Sequence, residues 1–131
     1  MGILAVIIAA AVGFAIGAAW YMALSKPWVK ETGIAVDADG RPLDKSPLPF
    51  ILSGIAMLLV AGMMRHTFAL SGIDTMGKGL VAGLGIGLFF ISPWIMINNA
   101  YAGRSFRLTM IDGGYATLGC AGIGMVLGMF A

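Results

Sequence analysis

An all-α integral membrane fold, four transmembrane helices in an antiparallel bundle, follows from three observations. Of the 131 residues 60% are hydrophobic and only 11% charged, with a mean hydropathy of +0.96, which lies outside the range of an ordinary soluble domain. The apolar residues gather into four windows, each close to the ~20 helical residues that cross a hydrocarbon core of ~30 Å. Nearly all the charge falls between those windows. A chain this short forms one domain, 1–131, and in lipid a helix satisfies every backbone group within its own segment.

Span one covers Ile3 to Leu24. The chain opens MGILAVIIAAAVGFAIGAAWY with no charge before Lys26; a signal peptide would open on a basic residue, so this stretch reads as a retained transmembrane helix. Residues 25–47, SKPWVKETGIAVDADGRPLDKSP, carry the proline, glycine and alternating charge of an ordered surface loop. Asp37 and Asp39 before Gly40 resemble the start of a calcium loop, but no glutamate follows at the required spacing, so DADG reads as a turn.

Span two runs from Leu48 to Leu70, with His66 beside Arg65 in its last turn. A lone histidine completes neither a haem nor a metal set, which leaves a solvated interfacial side chain or a pH sensor. Span three runs from Gly79 to Tyr101 and holds Pro93, which removes one helix hydrogen bond, frees the carbonyl of Phe89 and predicts a kink. Such a kink is either structural or lines a transport cavity. Span four runs from Leu108 to Phe130.

Lys26, Lys30, Arg41 and Lys45 lie in the first connection, Arg65 and Lys78 flank the second, and Arg104 and Arg107 lie in the third. Six of the eight basic residues therefore share one side. The positive-inside rule makes that side, including loop 25–47, cytoplasmic and puts both termini and the short second connection outside. Trp20, Tyr21, Trp28 and Tyr101 fall near the same boundary, where aromatic belts form. The net charge of +2 is too small to imply a nucleic-acid partner.

The 20 glycines would weaken soluble helices, yet most lie within the spans at four-residue spacing. Gly79, Gly83 and Gly87 form GxxxGxxxG in span three, and Ala116, Cys120, Gly124 and Gly128 form a second stripe in span four. Ala9, Gly13 and Gly17 do the same in span one, and Gly54 with Gly62 more sparsely in span two. Small residues four apart share a helix face and let backbones approach where lipid gives no hydrophobic drive for association. The stripes either pack inside one bundle or leave one face for another copy or a partner subunit. Cys120, the single cysteine, reads as a small packing residue. GFAIGAAWYM at Gly13 to Met22 aligns with GLFFISPWIM at Gly87 to Met96, which raises a second architecture of two repeated helical hairpins.

The polar corner INNAYAGRSFRLTMID holds Asn98, Asn99, Arg104, Arg107 and Asp112. Asp112, placed in the first turn of span four, would be favoured by the helix dipole and lie within reach of the two arginines; the alternative is a proton carrier in coupled transport. No GxSxG elbow, HExxH, phosphate loop or paired intramembrane carboxylates occur. An enzyme is not expected, and neither a cofactor nor a metal is called for.

Three stretches resemble a known family: WY followed by KPW after span one, GIDTMGKGLVAGLGIGLFF entering span three, and NNAYAGRSFRLTMIDGGY across the last corner. They look like the small bacterial membrane proteins grouped as domain of unknown function 1761. The resemblance covers nearly the whole chain and is most specific at Asn99, Tyr101, Gly103, Arg104, Ser105, Gly114 and Tyr115. It implies four transmembrane helices and supplies no catalytic residues. Asp112 departs from the family pattern, which more often has asparagine there, so a shared proton-carrier role is in doubt. The leading expectation is a non-enzymatic membrane protein that acts by association, with itself or as an accessory subunit. The alternative is a small dimeric transporter or channel with Pro93, Asn98, Asn99 and Asp112 along its pathway; it lacks the membrane-embedded glutamate in span one that small multidrug exporters use.

Overall fold

The computed structural model describes residues 2–131. Its elements in chain order are α1 (Gly2–Ala23), α2 (Ser25–Thr32), α3 (Leu48–Ser71), α4 (Met76–Gly85), a π-helical turn (Ile86–Ile91), α5 (Ser92–Tyr101) and α6 (Phe106–Met129). α4, the π turn and α5 run on as one helix, Met76–Tyr101, so four helices are long and apolar enough to cross a membrane. Among the described residues no strand forms beyond an isolated bridge between Val36 and Pro42.

Helix boundaries follow from caps. α4 begins three residues before the expected span because Thr75 Oγ1 accepts from the Lys78 N–H at 3.2 Å. α6 begins two residues early for the same reason, with Ser105 Oγ accepting from Leu108 N–H at 3.2 Å. α3 stops at Gly72, whose φ of 68° only glycine adopts without strain. Loop 25–47 is more structured than its composition suggests. Ser25–Thr32 continues as α2, with Pro27 in the first turn where it forfeits no helix bond, and Gly33 (φ 68°) ends it by returning its N–H to Val29 O at 2.9 Å. Beyond it DADG forms a turn: Asp37 Oδ1 accepts from Asp39 N–H at 2.9 Å and Arg41 N–H at 3.0 Å, and Gly40 has φ 78°.

α6 lies at the centre. Of its apolar window 56% is buried, against 11% for α3 and for the Met76–Tyr101 helix. α1 and the α4–α5 helix flank α6, while α3 packs chiefly on α1 and only lightly on α6. The shared core joins Ala5, Ala9 and Ala10 of α1, Met64 and Phe68 of α3, and Ile123 with Leu127 of α6. Most large apolar side chains outside that core are exposed, Phe50, Leu59, Phe89 and Trp94 among them.

Candidate functional site

The small-residue stripes of α4 and α6 face each other. A Cβ on Gly79 would overlap the carbonyl of Gly124, one on Gly83 that of Cys120, one on Gly87 that of Ala116, and one on Gly128 that of Thr75. As one series ascends by fours the other descends by fours, so the two helices run in opposite directions with backbone against backbone. The α1 stripe takes side chains instead. At Gly13 a Cβ would lie 2.8 Å from Ile123 Cδ1, and at Gly17 it would lie 2.7 Å from Tyr115 Cζ. The Tyr115 hydroxyl then donates to Gly13 O at 2.9 Å, with Met57 Sδ of α3 3.3 Å away, so one phenol ties three helices. Gly54 and Gly62 of α3 meet nothing within 4 Å of a built Cβ. Cys120 is buried in the core.

Pro93 sits at the start of α5, directly after the π turn. In that wider turn the Ser92 N–H reaches back five residues to Gly87 O, and Ser92 Oγ lies 2.7 Å from the same oxygen and 3.0 Å from Gly113 O of α6. The segment before Pro93 is therefore a hydroxyl-supported π turn placed against α6. The aligned tryptophans of the proposed repeat have different surroundings. Trp20 Nε1 donates to Ile111 O at 2.8 Å, whereas Trp94 is exposed.

The polar corner divides into two groups. Asn99 is buried and its Nδ2 donates to Thr109 Oγ1 at 3.1 Å, while its carbonyl accepts from Arg104 N–H at 2.8 Å. Asn99 thus stitches α5 to α6 across a turn that Gly103 (φ 71°) makes tight enough. Asn98 is exposed and offers its main-chain carbonyl to Ala102 N–H at 3.1 Å.

In the second group the expected partnership of Asp112 with the arginines does not form. Because α6 starts at Phe106, Asp112 stands in its second turn, beyond the first-turn N–H groups, and Asp112 Oδ1 instead accepts from the Tyr21 hydroxyl of α1 at 2.6 Å. Arg107 pairs with Glu31 of α2 at 3.7 Å, and the other oxygen of Glu31 accepts from Ser105 Oγ at 2.7 Å. Arg104 is exposed and belongs to neither ion pair found among the described residues. Tyr21 also stands edge-on to Trp28 and to Tyr115, with centroids 6.2 and 5.6 Å apart.

Glu31 is the corner residue that sequence reasoning passed over. It looked like one of several alternating loop charges, and its partners lie more than seventy positions away, so no local pattern marks it. The capping role of Ser105 had a signal, a serine directly before an apolar run.

His66 is exposed on α3, and no group of three or more metal-ligating side chains gathers among the described residues. A groove beside the corner is apolar, about 480 Å³, and lies between Trp20, the Pro93 segment and α6.

These features define an all-helical protein with four apolar helices of spanning length, whose polar groups tie helices together at one corner. The chain belongs to the family described as Protein of unknown function (DUF1761), which matches residues 4–128. No curated protein and no solved structure matches it.

Proposed function

We propose that the chain is a non-enzymatic, multi-pass protein of the bacterial cytoplasmic membrane that works by helix association, as a homo-oligomer or as an accessory subunit of another membrane protein. In this reading the four long helices form an antiparallel bundle in the bilayer. Residues 25–47 and the α5–α6 turn are cytoplasmic, and both termini are periplasmic. The basic residues support that orientation, since Lys26, Lys30, Arg41, Lys45, Arg104 and Arg107 all fall at one end.

The observation that carries the proposal is the free face of α3. Its inner side, Ala61, Met64 and Phe68, is buried, while Phe50, Ile51, Ile55, Leu59 and Met63 are exposed along the outer side, and Gly54 and Gly62 have open space around them. The glycine stripes of α4 and α6 are already used within the protomer. α3 therefore keeps a surface for close approach by another helix. A transport pathway receives less support, because Asn99 and Asp112 are each held by a neighbouring side chain and the groove beside them is apolar.

The test is extraction of the chain from its native membrane into lipid nanodiscs, followed by mass measurement. Two or more copies, or one copy with a fixed partner, is the expected result. A strictly monomeric, partnerless species contradicts it, and liposome flux that changes on Asp112→Asn would replace it with the transporter reading.

A further inference from the structure

The groove between α1, α5 and α6 has a direction and two unlike ends. Along α6 its lining runs from Phe106 through Met110 and Gly114 to Leu118, a length of roughly 18 Å at 1.5 Å per residue, comparable with one leaflet of a ~30 Å hydrocarbon core. Its volume of about 480 Å³ lies within the ~300–1,000 Å³ usual for ligand sites. Trp20 forms one wall and is fixed twice, by its bond to Ile111 O at 2.8 Å and by the absent side chain at Gly114, where a Cβ would stand 2.6 Å from the indole. Pro93 and Met96 form the other wall, set back by the π turn.

The groove asks for an apolar occupant. Its three hydroxyls are engaged at home: Ser92 with Gly87 O, Thr117 with Gly113 O at 2.8 Å, and Thr109 with the amide of Asn99. No residue of α3 lines it, so it is separate from the association face. At its Phe106 end the surface becomes basic. Arg104 stands exposed in the adjoining turn, in neither ion pair found among the described residues, and Arg107, next to Phe106, remains 66% exposed despite its 3.7 Å contact with Glu31. The two carboxylates nearby are occupied, Glu31 by Ser105 and Arg107, and Asp112 by Tyr21.

We propose that this groove seats one acyl chain of an anionic phospholipid whose phosphate lies against Arg104 and Arg107. The inference rests on the membrane reading given above. Length and apolar lining select the chain. Charge selects the headgroup, because a guanidinium matches phosphate oxygens in geometry as well as sign.

The experiment is native mass spectrometry of the detergent-purified chain offered equal amounts of phosphatidylglycerol and phosphatidylcholine with the same acyl chains. Each basic side chain near an anionic surface contributes about fivefold in binding, so phosphatidylglycerol adducts are expected to exceed phosphatidylcholine adducts on the order of tenfold. Arg104→Gln with Arg107→Gln, both at exposed positions, brings the two lipids to parity. Met110→Trp, at a groove position that is 63% exposed and so tolerates bulk, removes adducts of both lipids without changing helix content. Parity in the unaltered chain overturns the proposal, as does undiminished phosphatidylglycerol binding to Met110→Trp, or a lipid-free dimer seated through this face. A chain recovered in the soluble fraction of cells defeats the membrane reading itself; a chain recovered with membranes but without lipid preference defeats only this inference.

Discussion

Adding one methyl group at Gly83 tests the helix interface in the middle of its backbone-to-backbone stripe. A Cβ there would stand 2.8 Å from the carbonyl carbon of Cys120 and 3.1 Å from Ala121 Cα, with the carbonyl oxygen nearer still. Restoring an ordinary carbon contact of about 3.5 Å moves the helices apart by at least about 0.7 Å, the nearer oxygen requiring more, and a gap of that size forfeits a quarter to a half of each dispersion contact around it. Gly79 and Gly124, one turn away, meet each other's carbonyls reciprocally, so the separation loosens the stripe as a whole. Overpacking of this kind costs about 1–3 kcal/mol, offset by up to ~1 kcal/mol from replacing glycine within a helix. Gly83→Ala is therefore expected to lose about 1–2 kcal/mol. Gly62→Ala, where nothing lies within 4 Å, should be neutral or gain up to ~1 kcal/mol. Unfolding in mixed dodecylmaltoside and SDS micelles, followed by circular dichroism, separates the two. Equal stability of both variants, or greater loss at Gly62, refutes the backbone-contact account.

Other substitutions probe the corner and the core. Asn99→Ala leaves Thr109 without its buried donor and should cost about 1–3 kcal/mol, with a double-mutant cycle against Thr109→Val showing coupling by the same unfolding assay. Tyr21→Phe removes the 2.6 Å bond to Asp112 and should cost about 1–2 kcal/mol, whereas Arg107→Gln, which breaks only a long and exposed pair, should change unfolding by less than about 0.5 kcal/mol. Cys120 is buried in the folded chain, so maleimide labelling monitored by mass should proceed only after denaturation; prompt labelling of the native protein contradicts the placement of α6.

Helix positions were legible because their causes are local: apolar runs of spanning length, glycine spacing, and prolines and charges between. Boundaries moved by a few residues where Thr75 and Ser105 cap, since a side-chain cap depends on one hydroxyl rather than on a window average. The short helix Ser25–Thr32 was not legible, because charge and proline in its sequence suggest a loop while its anchoring comes from partners outside it: Trp28 on Tyr21 of α1 and Glu31 on the distant Ser105. The same cause hid the true partner of Asp112. Nearness in sequence suggested Arg104 and Arg107, but helical geometry turns Asp112 towards Tyr21, 91 positions earlier. Pro93 pointed to a lost hydrogen bond, and only the fold shows the π turn before it, with Ser92 bonded to the Gly87 and Gly113 carbonyls.

Association through the outer face of α3 is tested most directly by disulfide cross-linking in native membranes. In a Cys120→Ser background, Leu59→Cys places a thiol on the face that is 69% exposed at that residue, and Met64→Cys places one where exposure is 4%. The account predicts an oxidised species of higher mass, either a dimer or a constant heteromeric product, from the Leu59 position and none from Met64. Absence of any cross-linked product at Leu59, with Ile55→Cys and Met63→Cys equally silent, would contradict it.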